Sequence, residues 1–358
     1  MRTGTARLPL HGGRCPRWLF DRMKELGSAI IEVIVYEYGP DEVLRRLSDP
    51  VWFQAFGCVL GFDWHSSGLT TTVLGALKEG LRDRQKDLGV FIAGGKGRTS
   101  RKTPEEIAFY AEKYSFEVSP ETLIYSSRMA AKVDNTALQD GYQLYHHVFI
   151  FTAHGQWAVV QQGMNERSGW ARRYHWLGET VKDFVCEPHA AICCDRRTRV
   201  LNMVAEESGK ARAVIAELAR DHPSRTLREL NRLRELDLPQ SHHIPRAGYM
   251  DKILYQIYER QPEDFKAVLG VEGVGPKTIR ALALVAEVTY GAKSSFRDPV
   301  KYSFAHGGKD GHPFPVDRKV YEKSIEILRR SLSEARIGRS DKLQALKKLN
   351  ALAEFWEK

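Results

Sequence analysis

The sequence contains no uninterrupted apolar run near 18 residues, so it offers no helix for crossing a membrane, and no membrane partner is expected. Met1 to Arg14 lacks the apolar core of a secretory signal, and Ile30 to Val35 is too short and too deep to serve as one. Cysteine is scarce. Cys15, Cys58, Cys186, Cys193 and Cys194 are odd in number and show no Cys-x-x-Cys spacing, which fits small core residues in a reducing, cytoplasmic setting. All five precede Leu201, which excludes a four-cysteine iron–sulphur cluster from the remainder of the chain. There is neither an internal repeat nor a low-complexity tract.

What is present is an ordinary globular composition with a basic balance. Hydrophobic residues make up 42% and charged residues 28% of 358, enough chain for two cores. Net charge is +9, and from Leu201 onward 28 Lys and Arg face 22 Asp and Glu, so the smaller C-terminal part carries most of the excess. That balance suits a nucleic-acid partner without demanding one.

The periodicity predicts helices at Trp18 to Tyr38, from Pro40, and from Ser66 to Leu81. Leu88 to Ala93 reads as a buried strand that empties into the basic loop Gly94 to Lys102. Thr103-Pro104-Glu105-Glu106 has the form of a capping box opening a helix. Tyr145 to Phe151 and Trp157 to Gln161 are β-rich runs around His154-Gly155, which predicts a β-hairpin. Beyond Arg196 to Arg199 nearly everything reads as helix. The expected architecture is therefore an α+β N-terminal domain with a β-hairpin-containing sheet (1–198) and an all-α C-terminal domain (199–358) with a helix-hairpin-helix motif.

The sharpest motif is Phe265-Lys266-Ala267-Val268-Leu269-Gly270-Val271-Glu272-Gly273-Val274-Gly275-Pro276-Lys277-Thr278-Ile279. A helix ends, Gly273 and Gly275 allow a tight turn, Val274 can plug inward, and Pro276 opens the next helix. Free amides at that start, with Lys277 and Thr278 beside them, can hold a phosphate oxygen. Such contacts position a duplex without reading its sequence. The bland alternative is a glycine turn between two core helices.

This stretch resembles the helix-hairpin-helix DNA glycosylases that carry a Gly/Pro/Asp pattern. In the lyase-type members the lysine at the place of Lys277 is the Schiff-base nucleophile, and a Pro-Val-Asp like Pro315-Val316-Asp317 supplies the aspartate. The resemblance implies that Lys277 attacks the sugar carbon and that Asp317 steadies the charge that builds there. No cofactor is required for that chemistry. Forty residues separate the two, and the insert Ser294 to Phe314 has no counterpart in the common pattern. The longer spacing is closer to the archaeal oxoguanine glycosylases. The whole chain also resembles a family known only as a domain of unknown function, which joins such a front domain to a hairpin of this kind.

Other candidates lie in the front part. Asp134 and Asp140 ahead of the β-hairpin, with Gln162 on its second strand, are similar to the arrangement of metal-dependent restriction-type nucleases, in which carboxylates hold Mg or Mn and activate water. The Glu-x-Lys expected there is missing, and turn carboxylates beside a polar strand face are the alternative. Asp63 with His65 could form a ligand pair or a capped helix entry. His146 and His147 must point to opposite faces of one strand, so they cannot share a metal. Gly89 and Gly94 have Walker spacing, but the Lys-Ser/Thr is absent. Lys96, Arg98, Arg101 and Lys102 are read instead as a DNA-backbone contact or a solvated turn. Trp170 to Trp176 interleaves cations with aromatics, as a base-stacking surface or a helix with one wet face. Three functions remain open: base-excision N-glycosylase/AP lyase, metal-dependent nuclease with its site in the front part, or DNA-binding accessory protein.

Overall fold

A computed structural model describes residues 15–62, 67–194, 196–234, 247–300, 318–335 and 338–357. Four helices come first: α1 (Arg17–Tyr38), α2 (Pro40–Ser48), α3 (Pro50–Val59) and α4 (Gly68–Gly80). Prolines open α2 and α3 where a missing N–H costs nothing, and Asp49 caps α3 by accepting from the amides of Val51 and Trp52. Short α5 (Gln85–Leu88) leads into β1 (Phe91–Lys96), and a 3-10 turn over Gly97–Lys102 leads into α6 (Thr103–Tyr114). Then α7 (Pro120–Lys132) ends in a π turn at Val133–Ala137, ahead of β2 (Leu138–Gln139).

The expected hairpin is present as β3 (Gln143–Phe151) and β4 (Trp157–Asn165), paired antiparallel with Phe151 opposite Trp157. It belongs to a five-stranded antiparallel sheet. Trp170–Leu177 forms β5 and Ala191–Cys193 forms β6, giving the order β1-β3-β4-β5-β6. Trp170 to Trp176 is thus a strand, not a helix. Arg172 and Arg173 within it are wholly buried, so neither can stack on a base. Leu201–Asn202 forms β7, which pairs with β2. Helices α8 (Gly209–Arg220), α9 (Pro223–Arg234), α10 (Ala247–Arg260), α11 (Phe265–Gly270) and α12 (Pro276–Tyr290) follow, then α13 (Arg318–Glu334) and α14 (Arg339–Glu357).

Helices cover both faces of the sheet. One apolar cluster joins Phe149, Phe151, Val159, Tyr174 and Trp176 to α7, α8 and α10 to α12. The other joins Val148, Ile150, Ala158 and Val160 to α1 to α4 and reaches Leu328 and Leu349 of α13 and α14. Strands buried on both sides need apolar residues at every position, which is why Val148-Phe149-Ile150-Phe151 shows no alternation. The boundary expected at 198/199 coincides with no break in this core, since the first cluster runs from Phe91 to Val300.

At the opposite end of the same strands the interior turns polar. The cross-strand row Lys96, His146, Gln162 and Arg173 faces α3 and α4, while His147, Gln161 and Tyr174 face α7. His146 and His147 do point to opposite faces, and both are buried. His147 lies 2.9 Å from the Ser127 hydroxyl and 2.7 Å from Gln161 Oε1. The expected capping box does not form. Thr103 donates to Ser100 O, and Glu106 accepts from Gly94 N at 2.6 Å and from Lys78 at 2.7 Å. Glu106 therefore ties the end of β1 to α4 and α6, which anchors the basic turn that follows.

Candidate nucleic-acid interface

The hairpin starts with a cap. Asp264 accepts from Ala267 N at 2.7 Å and begins α11, which ends on the packed residues Val268 and Leu269. The turn 271–275 then reverses the chain. Gly273 sits at φ +83°, a left-handed conformation that costs an L side chain about 1–2 kcal/mol. Val274 is buried, the inward plug that the sequence implies. Gly275 is extended and serves as the N-cap of α12 without a side chain to offer, and Pro276 follows at the first helical position. The first-turn amides of α12 have no intrahelical acceptor, so they are left for an outside oxygen. Lys277 is exposed beside them. Thr278 departs from its expected role: its side chain is buried, so only its backbone can take part.

Two neighbours absent from the motif hold this start in place. Gln139 donates to Pro276 O at 2.7 Å and accepts from Arg280 Nε at 2.8 Å, which ties β2 to the first turn of α12. The Tyr249 hydroxyl of α10 donates to Gly273 O at 2.9 Å. No local signal in the sequence marks either residue, because each acts across a long chain separation. The turn geometry gives a checkable contrast. Gly273→Ala is expected to cost about 1–2 kcal/mol in urea unfolding, since its Cβ must adopt the left-handed conformation. Gly275→Ala should cost much less, because its φ is −135° and the nearest atom to an added Cβ is 4.0 Å away. Equal costs at the two sites would contradict this account of the turn.

The basic turn lies at the same end of the sheet. Lys96 closes β1 opposite His146, and Gln139 lies four residues before β3 begins. Lys96 is exposed, with Nζ 5.8 Å from the centre of the Tyr145 ring. Arg98, Arg101 and Lys102 are also exposed and form no ion pair among the described residues. The two cationic elements are thus both joined to the end of the sheet where β3 begins, by separate stretches of chain.

The carboxylates proposed for a metal are placed differently. Asp134 is buried, and its oxygens take donors from Gln161 Nε2, Trp176 Nε1 at 2.9 Å and His189 Nε2. Asp140 accepts from Arg172 at 3.0 Å, the Tyr174 hydroxyl at 2.7 Å and Tyr142 N at 3.0 Å. Their lone pairs are occupied by protein donors, and neither faces an opening. Gln162 does not join them: it lies on the opposite face of the sheet, donating to Ser67 O and to the Tyr145 hydroxyl. The set Asp134, Asp140 and Gln162 is thus not brought together. Among the described residues no cluster of three or more His, Cys, Asp or Glu could hold a metal. Asp317, expected as the partner of Lys277, lies outside the described residues, as do Asp63 and His65.

Residues 4–316 match the model of a family described as a protein of unknown function, DUF763, and the chain belongs to that family. No curated protein and no solved structure matches it. No described helix is long and apolar enough to cross a membrane.

Proposed function

We propose that this member of the DUF763 family binds DNA through its sugar–phosphate backbone and processes damaged DNA, with Lys277 as the nucleophile of a base-excision lyase. The observation that carries the reading is the start of α12: uncapped amides behind a glycine turn, Val274 plugged inward and Lys277 exposed over the site. Such a start accepts a phosphate oxygen through backbone dipoles and one cation. The exposed cations of the basic turn from Lys96 to Lys102, at the same end of the strands, favour a long polyanion over an isolated phosphate. In the lyase step, as the resemblance to Gly/Pro/Asp-type glycosylases implies, the Lys277 amine bonds to the sugar C1′, expelling water from an abasic aldehyde or displacing the damaged base. β-Elimination from the resulting imine then breaks the 3′ C–O bond with the phosphate as leaving group, and no metal is needed. The metal-dependent reading gains nothing from Asp134 and Asp140, whose oxygens serve protein donors.

The test is incubation with a duplex carrying one abasic site, with borohydride and with or without EDTA. A covalent adduct that survives EDTA and disappears in Lys277→Ala is the expected result. Binding without an adduct would reduce the protein to a DNA-binding accessory, and EDTA-sensitive cutting of intact strands would replace the lyase by a nuclease. Duplex affinity should fall with salt, and Lys277→Ala should lessen the log–log slope by about one. An absence of duplex binding at low salt would end the reading altogether.

A further inference from the structure

A cleft of 170 Å³ opens beside the hairpin, between one side of α12, strand β7 and the segment 294–296. Part of its wall is apolar: Leu201, Ala283 and Leu284 are buried, and Phe296 joins them in the lining. The guanidinium of Arg199 sits over the Phe296 ring, 4.7 Å from its centre. Arg280 lines the cleft from the first turns of α12, its Nε fixed on Gln139, and it forms no ion pair among the described residues. Burial without a counter-charge lowers its pKa, so the cleft holds a partly desolvated cation that no carboxylate offsets. Glu287 follows two turns along the helix, about 10 Å from Arg280 by helical rise. The buried Ser294 hydroxyl also lines the cleft and has no hydrogen-bond partner among the described residues.

We infer that this cleft binds a nucleotide: the phosphate on Arg280 and Arg199, the base against Phe296 and Leu284, and a hydroxyl or amino donor on Glu287. The chemistry matches at each point. A half-buried arginine with free η nitrogens is a fork for phosphate oxygens. An apolar wall with an aromatic ring takes the face of a base. A carboxylate at the far end accepts from the donors that a nucleotide carries away from its phosphate. The wall is also built in advance. Asn202 N donates to Ser295 O at 2.9 Å, Val200 N to Phe296 O at 3.3 Å, and Ser295 N to the Ser208 hydroxyl at 2.9 Å, so the segment 294–296 is stitched to β7 before any ligand arrives. The ligand is either a free nucleotide or the terminal nucleotide of a strand. The inference does not depend on the lyase reading.

The test uses the full chain and 2-aminopurine riboside 5′-monophosphate, followed by its own fluorescence without DNA. Saturable quenching is expected, weakened about 10- to 100-fold by Arg280→Ala and by Arg199→Ala. Arg199 is exposed, so its replacement leaves folding intact even if Arg280→Ala disturbs Gln139. Glu287→Ala should weaken the nucleotide and leave inorganic phosphate as a competitor unchanged. The inference is overturned by no quenching at millimolar probe, by quenching insensitive to both arginine variants, or by inorganic phosphate competing as strongly as the nucleotide. Competition by 5′-phosphorylated blunt duplex but not by closed circular DNA assigns the site to strand ends, and competition by neither assigns it to a free nucleotide. Because the first titration contains no DNA, its failure leaves duplex binding by the hairpin standing, and the reverse also holds.

Discussion

Lowering the pH from 7 to 4.5 is expected to destabilise the protein by at least about 3 kcal/mol. Three buried histidines are responsible. Burial pushes His146 down to about 3, with His147 and Lys96 adding to the effect. Burial likewise lowers His147, partly offset by its bond to Gln161 and by Asp134. His175 falls well below its ordinary value through burial and then Arg173, although its Nδ1 lies 3.1 Å from Leu47 O. The folded state keeps all three neutral, whereas the unfolded chain takes up protons near pH 6.5. As pH falls, the unfolded state binds more protons, so stability is full above about 6.5 and declines down to the folded values. Each pH unit of separation is worth about 1.4 kcal/mol, so at pH 4.5 His146 alone costs about 3 kcal/mol, and His147 and His175 add to it in the same direction. That is a substantial share of the stability of a typical fold, about 5–15 kcal/mol. Urea titrations at pH 7, 6 and 5 measure the slope.

His146→Leu sharpens the same test. Among the described residues neither imidazole nitrogen of His146 has a hydrogen-bond partner, so an apolar replacement removes two unsatisfied buried atoms and should be tolerated at pH 7. At pH 5 the variant should exceed the parent by about 2 kcal/mol, because one proton leaves the linkage. Identical acid transitions in parent and variant would remove His146 from the account.

Arg172→Ala is expected to destabilise by about 3–5 kcal/mol, the cost of stranding a buried charge. The guanidinium is fully buried, reaching Asp140 at 3.0 Å, Asp298 at 2.8 Å and Arg196 O at 3.1 Å, over the Tyr142 ring at 4.6 Å. Burial opposes its charge, but Asp140, Tyr174 and Asp298 more than offset this and hold it protonated well above the ordinary range. Asp298 also accepts from Thr198 N at 2.9 Å and Val300 N at 3.1 Å. Removing Arg172 therefore frees the strap that walls the nucleotide cleft as well as the end of β5. A double-mutant cycle with Asp298→Asn measures the coupling. A cycle that sums to zero, or an Arg172→Ala cost below 1 kcal/mol, would show that the buried network contributes little.

Several features are legible locally. The glycine turn with its Val274 plug, the prolines opening α2 and α12, the antiparallel pairing of β3 with β4 and the opposite facing of His146 and His147 all follow from a few neighbouring residues. In each case the cause is short-range: φ freedom at glycine, a missing N–H at proline, alternation along a strand. Helix α3 was harder to see, since Pro50–Val59 is buried almost all round and shows no amphipathic stripe.

The charged interior lies beyond any local rule. A reading of Arg172 and Arg173 as surface cations, or of Asp134 and Asp140 as metal ligands, rests on residue type, and type does not reveal whether a partner waits inside. Partners as far as 126 residues away decide it, because a buried charge persists only where the fold brings donors and acceptors to it. The cleft beside α12 has the same origin: Gln139, Arg199, Arg280 and Phe296 are distant in sequence and meet only through β2, β7 and the hairpin. The sequence alone thus determined the turn chemistry and those helices and strands whose local pattern is distinct, but not β5 or α3. Tertiary structure decided which polar residues support the fold and which remain free for a ligand, because desolvation and pairing are properties of an assembled interior.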